Sequence, residues 1–334
     1  MAERTGAWDS TYHAPVLVSE VVAALAGAHR ILDGTLGGGG HSAALLDAGA
    51  VVDALDRDPQ AVRAARERLR GAESAGRFRA FDANFAALDT VSVLRGIRYD
   101  GILLDLGVSS HQVDDVTRGF TFRPGALLDM RMARQEFSQH AGPHPAALEA
   151  EGGDGLDAAG LLNGAPETEL ATIFRDYADE PRAGRLAREI VRRRASKPFA
   201  TSDDLVGAIR GAFGPRTGPP EFARLFQGVR IAVNDEIGAL TSALPVLRDR
   251  LAGGGRLAII AYHSGEDRVV KHTFRDWSQA CHCPPRQLQC TCGGVALGTV
   301  VTRRAIIATP AEIERNPRAR SAKLRVWRRD APPS

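Results

Sequence analysis

The sequence predicts an α/β fold: a doubly wound, mostly parallel sheet with an inserted helical segment. Three observations carry this. A short apolar run, Ile31-Leu32, ends at Asp33 and passes through a glycine-rich turn into a helical pattern from Ser42 through Leu46. Further apolar runs at Val51 to Leu55, Arg77 to Asp82 and Tyr99 to Leu104 alternate with helical stretches, as successive βα units do. From Ala158 to Phe213 the pattern is helical. A chain of 334 residues, 44% hydrophobic and 25% charged, is ordinary for a soluble globular protein of one large domain or two smaller ones.

The elements follow in order. Thr11 to Glu20 is a lead-in in which His13 suits a structural role, and Val18 to Leu25 is an amphipathic helix. The first strand ends at Asp33, and Gly37 to Gly40 form the turn. The second strand, Val51 to Leu55, ends at Asp56, and Asp58-Pro59 opens a helix over Gln60 to Leu69 with proline in its first turn. A third strand runs to Asp82, followed by Ala83-Asn84-Phe85 and a helix to about Arg95. The fourth, Tyr99 to Leu104, is a nearly continuous apolar run that suits a buried parallel strand and ends in Asp105-Leu-Gly-Val-Ser-Ser. Gln135 to Asp157, rich in Gly, Ala, Pro and His, reads as a flexible insertion. Helices are expected over Glu167 to Tyr177, Arg182 to Arg194 and Ser202 to Phe213, the last capped by Thr201-Ser202-Asp203-Asp204. Pro215 to Pro220 is a linker, and Phe222 to Leu247 returns to long helices. A fifth strand, Leu257 to Tyr262, leads into His263-Ser264. Val300 to Thr309 and Ala322 to Arg329 alternate as a closing antiparallel edge.

The glycine turn points to a nucleotide-like ligand, because glycine brings backbone N–H groups close and a helix start offers unpaired donors and partial positive charge. A phosphate-binding P-loop would end in Gly-Lys-Ser/Thr, which is missing here. Gly37 to Gly40 fits a dinucleotide fingerprint only loosely, and an acidic residue closing the first strand suits folds that bind S-adenosylmethionine (SAM). Asp56, 23 residues past Asp33, is placed to accept ribose hydroxyls in either cofactor class. Phe85 serves equally as an adenine-packing ring or as core. Asp105, past the carboxyl end of a central strand, is the best candidate for chemistry beside the cofactor, and His263 ends a strand in the same manner.

Net charge is only +3, so charge alone does not announce nucleic acid. Only Lys197, Lys271 and Lys323 are lysines among 43 basic residues; arginine suits bidentate phosphate contacts, and a GC-rich genome would enrich it equally. The run Arg188, Arg192, Arg193, Arg194, Lys197 reads either as a phosphate-binding face or as a solvated one. No apolar run approaches the ~20 residues of a membrane span. The segment Met1 to Ser10 lacks an apolar signal core, so a cytoplasmic protein is expected. All four cysteines fall between Cys281 and Cys292, as Cys281-His-Cys283 and Cys290-Thr-Cys292. They form either a thiolate zinc site or reduced thiols, and the site reading includes no metal.

Taken together the motifs resemble the 16S rRNA (cytosine-N4)-methyltransferase family of the MraW/RsmH type, through nearly the whole chain. The marks are His13-x-Pro-Val-Leu, Asp33-Gly-Thr-x-Gly-x-Gly-Gly-His41, Asp56-Arg-Asp-Pro-Gln-Ala61 and Asp100-Gly-Ile-Leu-Leu-Asp-Leu-Gly-Val-Ser-Ser110. Arg118-Gly-Phe, Leu128-Asp-Met-Arg-Met132, Arg185-x-Ala-Arg-x-Ile190, Phe226-Gln-x-Val-Arg-Ile231, His263-Ser-x-Glu-Asp-Arg268 and Asn316-Pro-Arg-Ala-Arg-Ser321 continue the series. The resemblance implies a class I SAM-dependent methyltransferase, Rossmann-like, with a seven-stranded mostly parallel sheet and an inserted helical domain. On that reading residues 1–134 and 221–334 form the core, 135–157 the flexible insertion and 158–214 the substrate-recognition domain. It implies SAM as cofactor and, as substrate, a cytosine N4 in the decoding centre (P site) of 16S rRNA within the small subunit. It places Gly39, Gly40, His41, Asp56, Phe85, Asp105 and Gln112 at SAM. Because no (Asp/Asn/Ser)-Pro-Pro-aromatic motif follows the fourth strand, Asp105 is the expected catalytic residue, with Ser109, Ser110 and His263 near the base. No membrane partner is expected, and the oligomeric state, a homodimer included, stays open. His111, Arg123-Pro-Gly-Ala-Leu127, Tyr262 and Gly265 depart from the family's commoner residues. The rival readings are a SAM enzyme for a DNA or protein amine, a nicotinamide oxidoreductase, and a non-enzymatic RNA-binding protein.

Overall fold

Five strands lie parallel in the order β3-β2-β1-β4-β5: β1 (Arg30–Asp33), β2 (Val51–Asp56), β3 (Phe78–Asp82), β4 (Tyr99–Asp105) and β5 (Leu251–Ala261). Beyond β5 come β6 (Gly298–Val300), β7 (Ile306–Ile307) and β8 (Lys323–Arg329). Strand β8 runs antiparallel between β5 and β6, and β7 also pairs β8, so the sheet has eight strands among the described residues where seven were expected. This computed structural model describes residues 15–107, 115–132 and 156–331, except 282, 284–286, 288–290 and 293. The expectations at His13, Ser109, Ser110, His111, Gln112, Cys290 and 135–155 therefore lie outside the described residues.

The chain divides into two compact units, Met1–Ser109 with Ile237–Ser334, and Ser110–Glu236. In the first, strand alternation separates two apolar layers. Ile31, Val52, Leu103, Ala258, Ile260 and Leu324 join one core. Their neighbours Leu32, Leu55, Leu104, Leu257, Ile259 and Trp327 join the other. A period of two sends successive side chains to opposite faces, so a sheet covered by helices on both sides needs apolar residues at every position. The first layer is shared with α1 (Val18–Ala24), α2 (Gly40–Asp47) and α3 (Pro59–Arg68). Past α3 lies the short α4 (Arg70–Ser74).

The second unit is helical: α5 (Ala158–Gly164), α6 (Glu167–Ala178), α7 (Ala183–Arg194), α8 (Ser202–Phe213) and α9 (Pro219–Val233). Thr201 and Asp204 form the capping box expected of α8. Residues 115–132 fall with this unit, since Leu128 and Met130 join its core and Leu128 N–H donates to the Ala200 carbonyl at 3.0 Å. Two of the sequence motifs meet here. Arg118 Nη2 donates to the Met132 carbonyl at 2.9 Å, and Met130 N–H donates to the Arg118 carbonyl at 2.9 Å.

Two local expectations are corrected. The helix to Arg95 is two 3₁₀ turns, Phe85–Thr90 and Ser92–Leu94, because Ala87 leaves helical φ/ψ while Leu88 and Leu94 are drawn into the core. The strand expected over Val300 to Thr309 is split into β6 and β7. The long helices expected from Phe222 are α9 and α10 (Glu236–Asp249), separated where Asp235 takes φ 46°.

Candidate active site

The site candidates sit at the carboxyl ends of β1, β2 and β4, where parallel sheets of this kind bind ligands. Past β1 the chain is held by its neighbours: Gly34 N–H donates to the Leu103 carbonyl and Leu36 N–H to the Leu55 carbonyl, both at 2.9 Å. Gly39 then caps α2 with φ 73°, a left-handed conformation that favours glycine. A Cβ on Gly40 would lie 2.7 Å from Pro15 Cγ, so this glycine admits the incoming chain. Phe85 follows β3, and its Cβ would lie 3.1 Å from a Cβ built on Gly34, which places it beside the turn.

Three carboxyls close the strands. Asp56 accepts from Gly37 N–H at 2.7 Å and from Asp58 N–H at 2.9 Å. Asp33 accepts from Ser42 Oγ at 2.7 Å and Thr35 N–H at 3.2 Å. Asp105 accepts from the Tyr262 hydroxyl at 2.8 Å, while its own N–H donates to Thr35 Oγ1 at 2.5 Å. Burial outweighs these bonds. It pushes Asp33 and Asp56 up to about 6 and Asp105 up to about 7, and the Glu266 carboxylate adds to the rise at Asp105.

His41 connects α2 to Asp105. Its Nε2 lies 2.9 Å from the Val16 carbonyl, and its Nδ1 lies 3.5 Å from Asp105 Oδ2. A carbonyl only accepts, so Nε2 carries a hydrogen. Burial lowers the pKa of the imidazole, which leaves Nδ1 as a bare lone pair.

His263 is brought to the neighbouring strand end but is engaged structurally. It is the N-cap of α11 (Ser264–Trp277), with Nδ1 accepting from Glu266 N–H at 3.4 Å. Its Nε2 lies 3.2 Å from Glu266 Oε1 without hydrogen-bond geometry. Glu266 in turn accepts from Tyr262 N–H at 2.9 Å.

Sequence reasoning missed Thr35 and Tyr262 as partners of Asp105. Thr35 lies inside the glycine motif and was available. Tyr262 becomes visible only with the register: Asp105 pairs with Ile260, and two residues further on β5 reaches the carboxylate. The basic run on α7 is largely spoken for. Arg192 and Arg193 bond Glu189 at 2.8 and 2.7 Å, and Lys197 bonds Asp204 at 2.7 Å. Arg194 Nη1 donates to the Leu162 and Ala165 carbonyls at 2.9 and 2.7 Å.

SAM carries a sulfonium, an ammonium and a ribose diol, each of which a strand-end carboxylate can face or accept. This fold and this donor set fit a SAM-dependent methyltransferase. The model of the MraW methylase family matches residues 10–330, and the chain belongs to that family. It is 59% identical to ribosomal RNA small subunit methyltransferase H of Gemmatimonas aurantiaca over 97% of this chain and 96% of that protein. The proteins of the same name from Heliobacterium modesticaldum and an Anaeromyxobacter species are 43% and 45% identical. Each comparison covers 94% of this chain, with 97% of the first protein and 96% of the second.

Proposed function

We propose that this enzyme methylates the N4 amino group of a cytosine in the decoding centre (P site) of 16S rRNA, within the small ribosomal subunit. The observation that carries the target is the 59% identity, over nearly the full length, to a protein named as a small-subunit rRNA methyltransferase. Action on the ribosome places it in the cytoplasm. Among the described residues no helix is long and apolar enough to cross a membrane.

SAM supplies an electrophilic methyl group. When SAM is bound, Gly39, Gly40 and His41 would hold it at the glycine turn, Asp56 would accept its ribose hydroxyls and Phe85 would pack on its adenine; Gln112 is a further candidate from the sequence. The cytosine amine is a poor nucleophile, since its lone pair is delocalised into the ring, so positioning supplies much of the rate. Asp105 accepts a hydrogen bond from the amine and takes up the proton that the methylated nitrogen must lose. A carboxyl poised near neutrality suits that exchange. Ser109 and Ser110, which come four and five residues after Asp105 in the sequence, are our candidates for contacts to the base, while His263 acts by holding the Tyr262–Glu266 corner. A stacked cytosine must be splayed out to react, and the inserted helical segment 158–214 is our candidate for recognising the RNA. In the first unit a surface hollow lined by Ser264, Asp267, Arg268, Lys271, His272 and Lys323 offers the Arg268 and Lys271 cations to phosphates, while Lys323 pairs with Asp267 at 3.5 Å.

The test is methyl transfer from labelled SAM to small subunits from a strain lacking the gene, with the modified nucleoside identified by mass spectrometry. N4-methylated cytidine in the decoding centre is the expected product. Tight SAM binding with no transfer to subunits or free rRNA would move the substrate to another RNA, DNA or protein.

A further inference from the structure

We infer that Cys281, Cys283 and Cys292 hold a structural zinc ion, a site separate from the methyl-transfer chemistry. Their Sγ atoms all lie within 4.8 Å of one another, and those of Cys281 and Cys292 are 3.9 Å apart. Zinc–thiolate bonds of about 2.3 Å at tetrahedral angles place neighbouring sulfurs about 3.8 Å apart, so this cluster has the span of a single-ion shell. An iron–sulfur cluster would instead spread the same thiolates over separate irons.

Hydrophobic burial does not explain the gathering, because Cys281 and Cys292 are exposed and Cys283 is only half-buried. The cluster lies in the connection between α11 and β6, where no helix or strand occurs among the described residues. Outside the cysteine segment that connection is anchored where Leu297 N–H donates to the Trp277 carbonyl at 2.8 Å. A long connection without its own apolar core is where a metal staple substitutes for packing. Thr291 N–H points at Cys283 Sγ at 3.4 Å, the kind of backbone donor that orients a metal-bound thiolate. Three thiolate ligands favour soft or borderline cations over magnesium and calcium. On binding, each thiol gives its proton to the buffer as the sulfur–zinc bond forms.

The experiment uses the untagged full-length protein, purified under reducing conditions without added metal. Elemental analysis is expected to find about one zinc per chain. Cys281→Ser and Cys292→Ser should each lose most of it, with Cys290 kept in both. Independently, wild-type protein stripped with a chelator and titrated with cobalt(II) should develop thiolate-to-cobalt charge-transfer absorption and d–d bands of tetrahedral intensity, which zinc then bleaches. Because that titration is read on the wild-type chain, a variant that fails to fold does not remove the test. Wild-type protein with neither zinc nor thiolate–cobalt bands overturns the site. So does zinc content unchanged in folded serine variants.

Discussion

At the scale of single residues, Asp105 and Tyr262 carry the sharpest expectations. Replacing Asp105 by asparagine keeps the shape and removes the proton acceptor. Turnover is expected to fall about 10²- to 10⁴-fold while the fold persists, which steady-state kinetics and thermal unfolding together check. Wild-type turnover in that variant would sink the assignment. The Tyr262 hydroxyl pulls the Asp105 pKa down against its burial. In Tyr262→Phe that pull is lost, the carboxyl rises further, and the acid limb of the kcat–pH profile should move to higher pH. A purely structural tyrosine would lower activity without moving the limb. Asp56→Asn should weaken SAM binding about 10- to 100-fold by calorimetry, the worth of hydrogen bonds to a charged acceptor.

At the scale of elements, the glycine turn and the second strand are the parts to perturb. Gly40→Ala forces a Cβ into Pro15 and should cost about 1–3 kcal/mol in denaturant unfolding, since the blocking ring sits on backbone that cannot swing aside. Strand β2 hides Asp53, fully buried, which accepts from Arg30 at 2.9 Å, Arg79 at 2.7 Å and the Tyr99 hydroxyl at 3.2 Å. Asp53→Ala leaves three donors without their acceptor. It should cost about 2–4 kcal/mol, toward the lower end because both arginines reach solvent. Strand ends were legible because apolar runs stop at Asp33, Asp56 and Asp105. The 3₁₀ turns after β3 were not, because Leu88 and Leu94 obey the core rather than a helical period. The pairing of Glu189 with Arg192 and Arg193 was legible at i+3 and i+4 spacing, and it weakens the phosphate-binding reading of that run.

At the scale of the whole molecule, the three raised carboxyls tie stability to pH. Their folded pKa values, about 6, 6 and 7, lie above the value near 3.9 of an unfolded aspartate. The folded state therefore binds more protons between those values. Their contribution is complete below about pH 4 and is lost as pH rises through about 6 to 7. The ligand-free protein should show a Tm that falls between pH 5 and pH 8. SAM, by placing cations among the carboxylates, should raise Tm more at pH 8 than at pH 5. Scanning fluorimetry with and without SAM checks both; a flat Tm would mean that the carboxyls are relieved by other charges.

The sequence by itself determined the layered α/β architecture, the inserted helices, the glycine turn and the strand-end acids, because these follow from local periodicity and from residues whose chemistry acts where they stand. Only the tertiary structure decided that Tyr262 bonds Asp105 and that His41 faces the same carboxylate. Each depends on strand register or on side chains far apart in the chain. Such pairings are set by the packing of the sheet and its helices, and local sequence does not encode them.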